Sequence, residues 1–146
     1  MGNNMIQAQL DLSRPIGEVF DYVADFRNEN EWNVVAHDVR MLTEPPIGKG
    51  SRFLGKYDRV GTLEYEILEY DRPRHLLVRA TSKWFDSVST FDFAARDEVT
   101  HVVFAIDPKP KGFLKLLAPL MTGMVKGQME KNMGSLKRSL EARAAR

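Results

Sequence analysis

Residues 13–26, SRPIGEVFDYVADF, indicate a short amphipathic helix near the beginning of the chain. Pro15 suits a first helical turn, and the apolar residues after it recur at spacings of three or four: Ile16, Val19, Phe20 and Val23. The preceding stretch, MIQAQLDL, alternates apolar and polar residues, which is typical of a strand with one buried face. The sequence therefore predicts a strand followed directly by a helix.

The segment after this helix predicts one more helical turn within RNENEWN and then six further strands. These six runs are separated by turn signals such as EPPIGKG and DRPR, and they centre on HDVRML, SRFLGKYDRV, GTLEYEILEY, RHLLVRATS, FDSVSTFDFAA and THVVFAIDP. The connectors are too short for crossover helices, so consecutive strands are expected to pair antiparallel. From KPKGFLKLLAPLM onward the pattern becomes helical to the C-terminus, and Pro119 is expected to kink this helix or to divide a short leading helix from a longer one.

Composition limits the classes of function. A chain of 146 residues with 43% hydrophobic content fits a single domain, residues 1–146, that is large enough for a real core. The net charge of +1 provides no global field for nucleic acid, which we do not expect as a partner, although local patches remain open. No apolar run approaches the roughly 20 residues of a membrane span, so stable membrane insertion is not expected. The absence of cysteine favours a reducing compartment, and we expect a cytoplasmic protein.

Several pieces of the sequence, in this order, resemble the polyketide cyclase/dehydrase and lipid-transport family of the START-related superfamily. They are SRPIGEVFDYVADFRNENEW, IGKGSRF in the second hairpin, EYEILEYDRPRHL and the closing LKRSLEARA. The resemblance implies an α+β helix-grip fold, in which a curved seven-stranded antiparallel sheet wraps around a long C-terminal helix and two short helices follow strand 1. It also implies a cavity between sheet and helix. Members of the family include cyclases, aromatases and lipid carriers, so the fold leaves the function open.

The C-terminal helix is predicted to line this cavity with an unusual apolar face. Its methionines adapt to irregular contents, and we expect Met121 and Met124 to face the sheet. Gln128 and Asn132 fall in the middle of the same face, and an unpaired buried amide costs about 1–3 kcal/mol. Either sheet groups or water satisfy these two amides in a filled core, or they belong to the wall of a ligand cavity.

Strand alternation supplies the other candidates for the cavity lining. His37 shares parity with Val39 and Met41, Tyr57 with Phe53, Tyr65 with Leu63 and Ile67, and Ser87 and Ser89 with Phe91 and Phe93. A bulge near Leu68 is suggested by a change of pattern in strand 4, and any bulge reverses such assignments. The resemblance places Trp32 beside the short helices at the cavity mouth, either as a structural plug or as a ring that stacks on a ligand. The predicted ligand-binding residues are Trp32, His37, Tyr57, Tyr65, Ser89, Phe91, Met121, Met124, Gln128 and Asn132.

Signatures of catalysis are weak. His37, His75 and His101 lack metal-ligand spacing, and no nucleotide or dinucleotide motif occurs, so neither a metal nor a cofactor is expected. His37 together with Tyr65 or Tyr57 could move protons in a cyclisation or dehydration, but such residues on strands are more often structural.

Two functions follow from these observations. The first is binding or transport of a small hydrophobic or amphipathic ligand, such as a lipid, a polyketide-like or an aromatic molecule. The alternative is a cofactor-independent polyketide cyclase/dehydrase, or aromatase-like enzyme, that uses His37 and Tyr65 as acid–base groups. An interaction protein with a filled core is a third class. The oligomeric state and the identity of the ligand are not predicted.

Overall fold

The protein folds around one curved antiparallel sheet of seven strands. The structure is a computed structural model that describes residues 5–144. The strands are β1 (Ile6–Leu12), β2 (Ala36–Met41), β3 (Arg52–Tyr57), β4 (Gly61–Asp71), β5 (His75–Thr81), β6 (Phe85–Arg96) and β7 (Val99–Pro110). Their spatial order is β1-β7-β6-β5-β4-β3-β2, so consecutive strands pair from β2 through β7, and β1 pairs with β7 at the opposite edge from β2. The predicted seven-stranded antiparallel sheet is confirmed.

The helices occupy the predicted places in the chain order. After β1 come α1 (Ile16–Ala24), a 3₁₀ turn (Phe26–Asn28) and the one-turn helix α2 (Glu29–Trp32). After β7 a short 3₁₀ helix (Gly112–Leu117) leads into the long helix α3 (Ala118–Ala144). Pro119 lies in the first turn of α3, where its missing N–H costs no intrahelical bond, so it separates the two helices as predicted. Within residues 5–144, no helix has both the length and the apolar character needed to cross a bilayer. This is the α+β helix-grip fold.

Aromatic side chains from α1 and the 3₁₀ turn fill the concave face of the sheet. Phe20 of α1 meets Tyr70 and Phe93 edge to face, with ring centroids 5.2 and 5.1 Å apart. Phe26 of the 3₁₀ turn contacts Phe53 in the same manner at 5.3 Å. Both Phe20 and Phe26 are almost completely buried. This packing places the Phe26 ring against β3, while the backbone of the 3₁₀ turn and of α2 lies against β2.

Two bulges interrupt the alternation of side chains. The pairing of β4 with β5 shifts between Ile67 and Glu69, which confirms the bulge predicted near Leu68. A second bulge, which the sequence did not reveal, lies in β2 between His37 and Arg40, where Asp38 has a φ of 53°. The extra residue turns His37 to the outside while Ala36 and Val39 face inward. The predicted inward orientation of His37 is therefore wrong.

Both edges of the sheet are covered by side chains from helices. Along β1, Lys126 and Lys137 of α3 donate from Nζ to the backbone oxygens of Gln7 and Asp11. Along β2, the Asn30 amide imitates a neighbouring strand, since it donates to Val39 O at 3.0 Å and accepts from Val39 N at 2.9 Å. These bonds satisfy edge groups that would otherwise invite pairing with another chain.

Candidate functional site

Helix α3 packs tightly against the fold at its C-terminal end and loosely at its N-terminal end. Its inward face is almost completely buried at four positions, namely Met129, Met133, Leu136 and Leu140. One and two turns earlier, Val125 and Met121 are only half-buried, and Leu117 before them is exposed. The closed end is also tied down by polar contacts, including one of 2.7 Å between Ser139 Oγ and the Tyr22 hydroxyl. The inward face of α3 is therefore progressively less covered toward the N-terminus of the helix.

Side chains on the inward face of the sheet also become less buried toward the N-terminal end of α3. Along β7, the inward residue Val102 is completely buried, whereas Phe104 and Ile106 further along are half-buried. Phe85 at the start of β6 and Tyr65 of β4 are likewise only half-buried. Like Phe104 and Ile106, both of these side chains pack against the core. We call the region of half-buried side chains on the sheet and on the first half of α3 the wedge. Its residues are Tyr65, Phe85, Phe104, Ile106, Met121 and Val125.

The predicted residues of α3 divide into two groups. Met121 is half-buried, as are Gln128 and Asn132, whose amides bond to each other over 3.0 Å from Gln128 Nε2 to Asn132 Oδ1. Met124 is 66% exposed, so its predicted contact with the sheet is wrong. It directly precedes Val125, which faces inward, and one residue turns the side chain by about 100° around the helix. The hydrogen bond between Gln128 and Asn132 satisfies part of the hydrogen-bonding capacity of each of these two amides.

The floor beside the wedge is made of small and apolar residues. Ser89 and Phe91, both predicted to face inward, are buried on β6, and so is Ser87. The register places Ser87 beside Ala80 of β5, and Ala80 in turn lies beside Tyr65 of β4. Phe91 stacks on Phe104 at 4.4 Å, with the two rings nearly parallel. The residues of this row next to the Tyr65 ring, Ala80 and Ser87, therefore have small side chains.

A buried carboxyl group lies at the other side of this floor. Glu29 of α2 is 5% exposed and accepts a hydrogen bond of 2.5 Å from the Tyr57 hydroxyl to its Oε1. Burial raises the pKa of Glu29 from 4.5 to about 7, against the opposite effect of the hydrogen bonds from Tyr57 and Asn33. The carboxyl group is therefore poised to exchange a proton near neutral pH.

Tyr57 and Tyr65 connect this carboxyl group to the wedge. Their rings meet edge to face at 5.8 Å, and the Tyr65 ring stacks on Phe26 at 5.2 Å. Burial, and after it the neighbouring charge of Glu29, raise the pKa of both hydroxyls. Both groups are therefore neutral hydrogen-bond donors over the physiological range. Tyr57 also depends on Gly55, where a Cβ would lie 3.0 Å from Tyr57 Cε1 and 2.8 Å from Val39 Cγ2.

Trp32 belongs to the core beside these groups. Its side chain is 3% exposed, and its indole nitrogen Nε1 is buried without a hydrogen-bond partner among residues 5–144. A buried donor without a partner costs about 1–3 kcal/mol. The packing agrees with the structural plug, while contact of this ring with a ligand stays a prediction.

The structure does not bring His37 and Tyr65 together. The His37 ring is about half exposed and pairs with Asp58 at 2.9 Å from Nε2 to Oδ1. His75 and His101 pair in the same way with surface carboxylates, Asp92 and Asp11, at 2.7 Å each. Among residues 5–144, no group of three or more His, Asp or Glu side chains is arranged to hold a metal ion. Tyr65 lies instead beside Tyr57, which is hydrogen-bonded to Glu29, and the charge of Glu29 acts on the Tyr65 hydroxyl.

Sequence reasoning missed Glu29 because it stands in NENE, a segment that looks like a solvated turn. Its spacing does contain a signal, since Phe26, Glu29 and Trp32 recur every three residues and so share one face of a short helix. Two of these three are large aromatic residues that must be buried. Because Glu29 lies between Phe26 and Trp32 on this face, burial of the two aromatic rings also buries its carboxyl group.

Two surface pockets lie outside the wedge. One, of about 340 Å³, is lined by residues of β1 and α3 that include Gln7, Lys126 and Glu130. The other, of about 530 Å³, lies over Asn30 and the outer part of β2 and β3. Neither is lined by any of the residues that the sequence predicted to bind a ligand.

Comparison with known proteins places the chain in a family. Residues 6–141 match the family model described as polyketide cyclase / dehydrase and lipid transport. No curated protein matches the sequence.

Solved structures share the fold at low sequence identity. The Zhui aromatase/cyclase from Streptomyces sp. R1128 is 14% identical, with a TM-score of 0.78 over 96% of this chain and 94% of that protein. The protein TTHA0849 from Thermus thermophilus is 16% identical, with a TM-score of 0.77 over 95% and 98%. DynU16, a putative protein from the dynemicin biosynthetic locus, is 16% identical, with a TM-score of 0.70 over 95% of this chain and 48% of that one. The family match covers nearly the whole chain, which therefore belongs to the polyketide cyclase/dehydrase and lipid transport family.

Proposed function

We propose that the protein binds or carries a small hydrophobic or amphipathic molecule in the wedge between the sheet and the first half of α3. The observation that carries this proposal is that inward-facing side chains of both the sheet and α3 become less buried toward the same end of the molecule. Phe104 and Ile106 of the sheet and Val125 of α3 face inward, yet they remain half-buried while their neighbours along the same elements are covered. An apolar ligand that covered them would gain the hydrophobic stabilisation that the fold itself leaves unrealised.

The polar groups around the wedge favour a ligand with an oxygen-bearing end. Tyr65 offers a hydroxyl whose raised pKa keeps it protonated, and it lies between the apolar lining and the buried pair of Tyr57 and Glu29. The amides of Gln128 and Asn132 add further donors and acceptors on α3. A lipid, a polyketide-like or an aromatic molecule with a carbonyl or hydroxyl group has this combination. We place this role in the cytoplasm, the compartment that a chain without cysteine favours.

The test is titration of a neutral naphthalene dye into the wild type and into two tryptophan variants of α3. Val125→Trp fills the wedge, while Met124→Trp adds the same bulk at the adjacent exposed position. We expect Val125→Trp to weaken dye binding about tenfold, equivalent to about 1.4 kcal/mol, and Met124→Trp to leave it within about twofold. Equal affinities of the wild type and a folded Val125→Trp would refute binding in the wedge. A dye on the exposed surface would instead respond to Met124→Trp.

A second candidate function is a cofactor-independent cyclase/dehydrase. The bond between Glu29 and Tyr57 favours it, because a carboxyl group with a pKa of about 7 can both accept and donate a proton near neutral pH. The family description and the aromatase/cyclase activity for which Zhui is named support the same chemistry. Glu29 would then act as the proton acceptor or donor, with the Tyr57 hydroxyl orienting it and Tyr65 facing the substrate.

Turnover of a poly-β-carbonyl substrate distinguishes the two functions. In a cyclase or dehydrase, Glu29→Gln should retain substrate binding and lose about 100-fold or more of the turnover, the usual scale for an acid–base group. His37→Gln, on the outer surface, is the matched control and should leave turnover unchanged. Wild-type protein that binds the substrate without converting it would exclude this alternative and leave the carrier.

A further inference from the structure

Six large apolar side chains project into solvent at the end of the molecule where the wedge opens. Five belong to the 3₁₀ helix and the first turns of α3, and the sixth lies in the β5–β6 turn; we call them the apolar rim, and they are Trp84, Phe113, Leu116, Leu117, Leu120 and Met124. Leu116 is 83% and Leu120 is 74% exposed. Isolated exposed apolar residues need no explanation, but a group of this size marks a surface that meets an apolar partner.

The two segments of the apolar rim are held together. Lys111 N donates to the Trp84 backbone oxygen at 3.0 Å, and Lys111 Nζ donates to the Ser82 backbone oxygen at 2.8 Å. The turn that carries Trp84 is thus attached to the start of the 3₁₀ helix that carries Phe113. The rim therefore forms one surface beside the mouth of the wedge.

The charges around the apolar rim are predominantly positive. Lys83, Lys109, Lys111 and Lys115 lie in its two segments, and the stretch from Pro108 to Met129 contains no acidic residue. Two aspartates oppose the four lysines, since Asp86 pairs with Lys111 at 3.0 Å and Asp107 pairs with Lys109 at 3.2 Å. Lys83 instead lies over the Trp84 ring, 5.3 Å from its centroid. The chain as a whole is nearly neutral, so this excess is local.

We propose that the apolar rim docks the protein on the surface of an anionic lipid bilayer. Exposed leucine, phenylalanine and tryptophan side chains bury at the boundary between headgroups and acyl chains, while adjacent lysines meet acidic headgroups. The positive charge selects this partner over an uncharged apolar protein surface. Docking would put the opening of the wedge against the membrane, but it does not require a bound ligand, so it stands or falls separately from the proposed function.

The test is sedimentation with phosphatidylcholine vesicles prepared with and without phosphatidylserine. We expect binding to the phosphatidylserine vesicles that decreases with salt. The double variant Leu116→Glu/Leu120→Glu should lose at least about tenfold in partitioning, because it removes two inserted side chains and adds two charges. Lys115→Gln should lose roughly fivefold, the effect expected of one lysine near an anionic surface. The matched control is Leu42→Glu, which adds a charge at an exposed apolar residue after the end of β2, whereas the start of β2 lies at the same end of the sheet as the turn that carries Trp84.

Tryptophan fluorescence locates the contact. In a Trp32→Phe variant, Trp84 is the sole tryptophan, and its emission should shift to the blue and resist acrylamide quenching when phosphatidylserine vesicles are added. If Trp32→Phe does not fold, sedimentation of the wild type and of Leu116→Glu/Leu120→Glu still tests the proposal. Absence of wild-type binding, or equal binding by Leu116→Glu/Leu120→Glu, would overturn the proposal. So would a wild-type dimer that the same double variant dissociates, because a second copy would then cover the rim.

Discussion

The buried carboxyl group of Glu29 makes stability depend on pH in a direction opposite to that of an ordinary paired carboxylate. Its pKa is about 7 in the folded protein and about 4.5 when exposed, because burial disfavours the charged form. The folded-state value is the higher one, so the contribution of the protonated group is fully present below about pH 4.5 and is lost as the pH rises through about 7. Glu29→Gln removes this loss and keeps an acceptor for the Tyr57 hydroxyl.

The size of the effect follows from the two pKa values. The ionisation of Glu29 lowers the free energy of unfolding by about 1 kcal/mol at about pH 5 and by about 3 kcal/mol at about pH 8.5. The free energy of unfolding of Glu29→Gln, relative to the wild type, should therefore increase by about 2–3 kcal/mol across this interval. Urea unfolding of both proteins at the two pH values measures the difference.

Glu18→Gln is the matched control for this experiment. Glu18 is on the surface of α1, and its hydrogen bond with Arg14 lowers its pKa below 4.5. The contribution of this carboxylate to the free energy of unfolding is therefore lost only as the pH falls through the lowered pKa. The difference between Glu18→Gln and the wild type should stay constant between about pH 5 and about pH 8.5. Parallel pH profiles of Glu29→Gln and the wild type would refute the buried, proton-exchanging carboxyl group.

Three further changes test the surroundings of the site. Gly55→Ala should destabilise the fold by about 1–3 kcal/mol in urea unfolding, because the new methyl group would overlap Val39 and press on the Tyr57 ring; wild-type stability would show that this contact is relaxed. Asn30→Ala should cost about 1–3 kcal/mol through loss of its bonds to the Val39 backbone, and an unchanged midpoint would contradict the edge clamp. His37→Gln should leave dye affinity unchanged in the titration described above, whereas a marked loss would return His37 to the binding site.

Strand alternation predicted the sheet side of the site where the strands are regular. Tyr57, Tyr65, Ser89 and Phe91 all face inward, because each lies on a stretch whose alternation is unbroken. The predicted inward orientation of His37 was wrong because Asp38 adopts a left-handed conformation and forms a bulge, which the apolar pattern of the sequence does not encode.

Helical periodicity predicted an inward apolar face on α3 but misplaced its centre. Gln128 and Asn132, expected in the middle of that face, are half-buried at its margin, whereas Met129 and Met133 are buried within it. Met124 is exposed because it lies about 100° around the helix from Val125, and the partial burial of Met121 and Val125 depends on tertiary packing that periodicity does not encode. Glu29 was missed for the related reason that its burial is imposed by the aromatic neighbours in its turn.

The most direct test of the account is methyl NMR of the methionines during titration with an apolar ligand bearing a carbonyl group. The methyl group of Met121 lies at the wedge and that of Met129 lies deeper on the same face of α3, whereas Met124 and Met5 are exposed. A ligand in the wedge should shift the signals of Met121 and Met129 and leave those of Met124 and Met5 in place. Shifts confined to Met124, or a saturating ligand that moves neither Met121 nor Met129, would contradict binding between the sheet and α3.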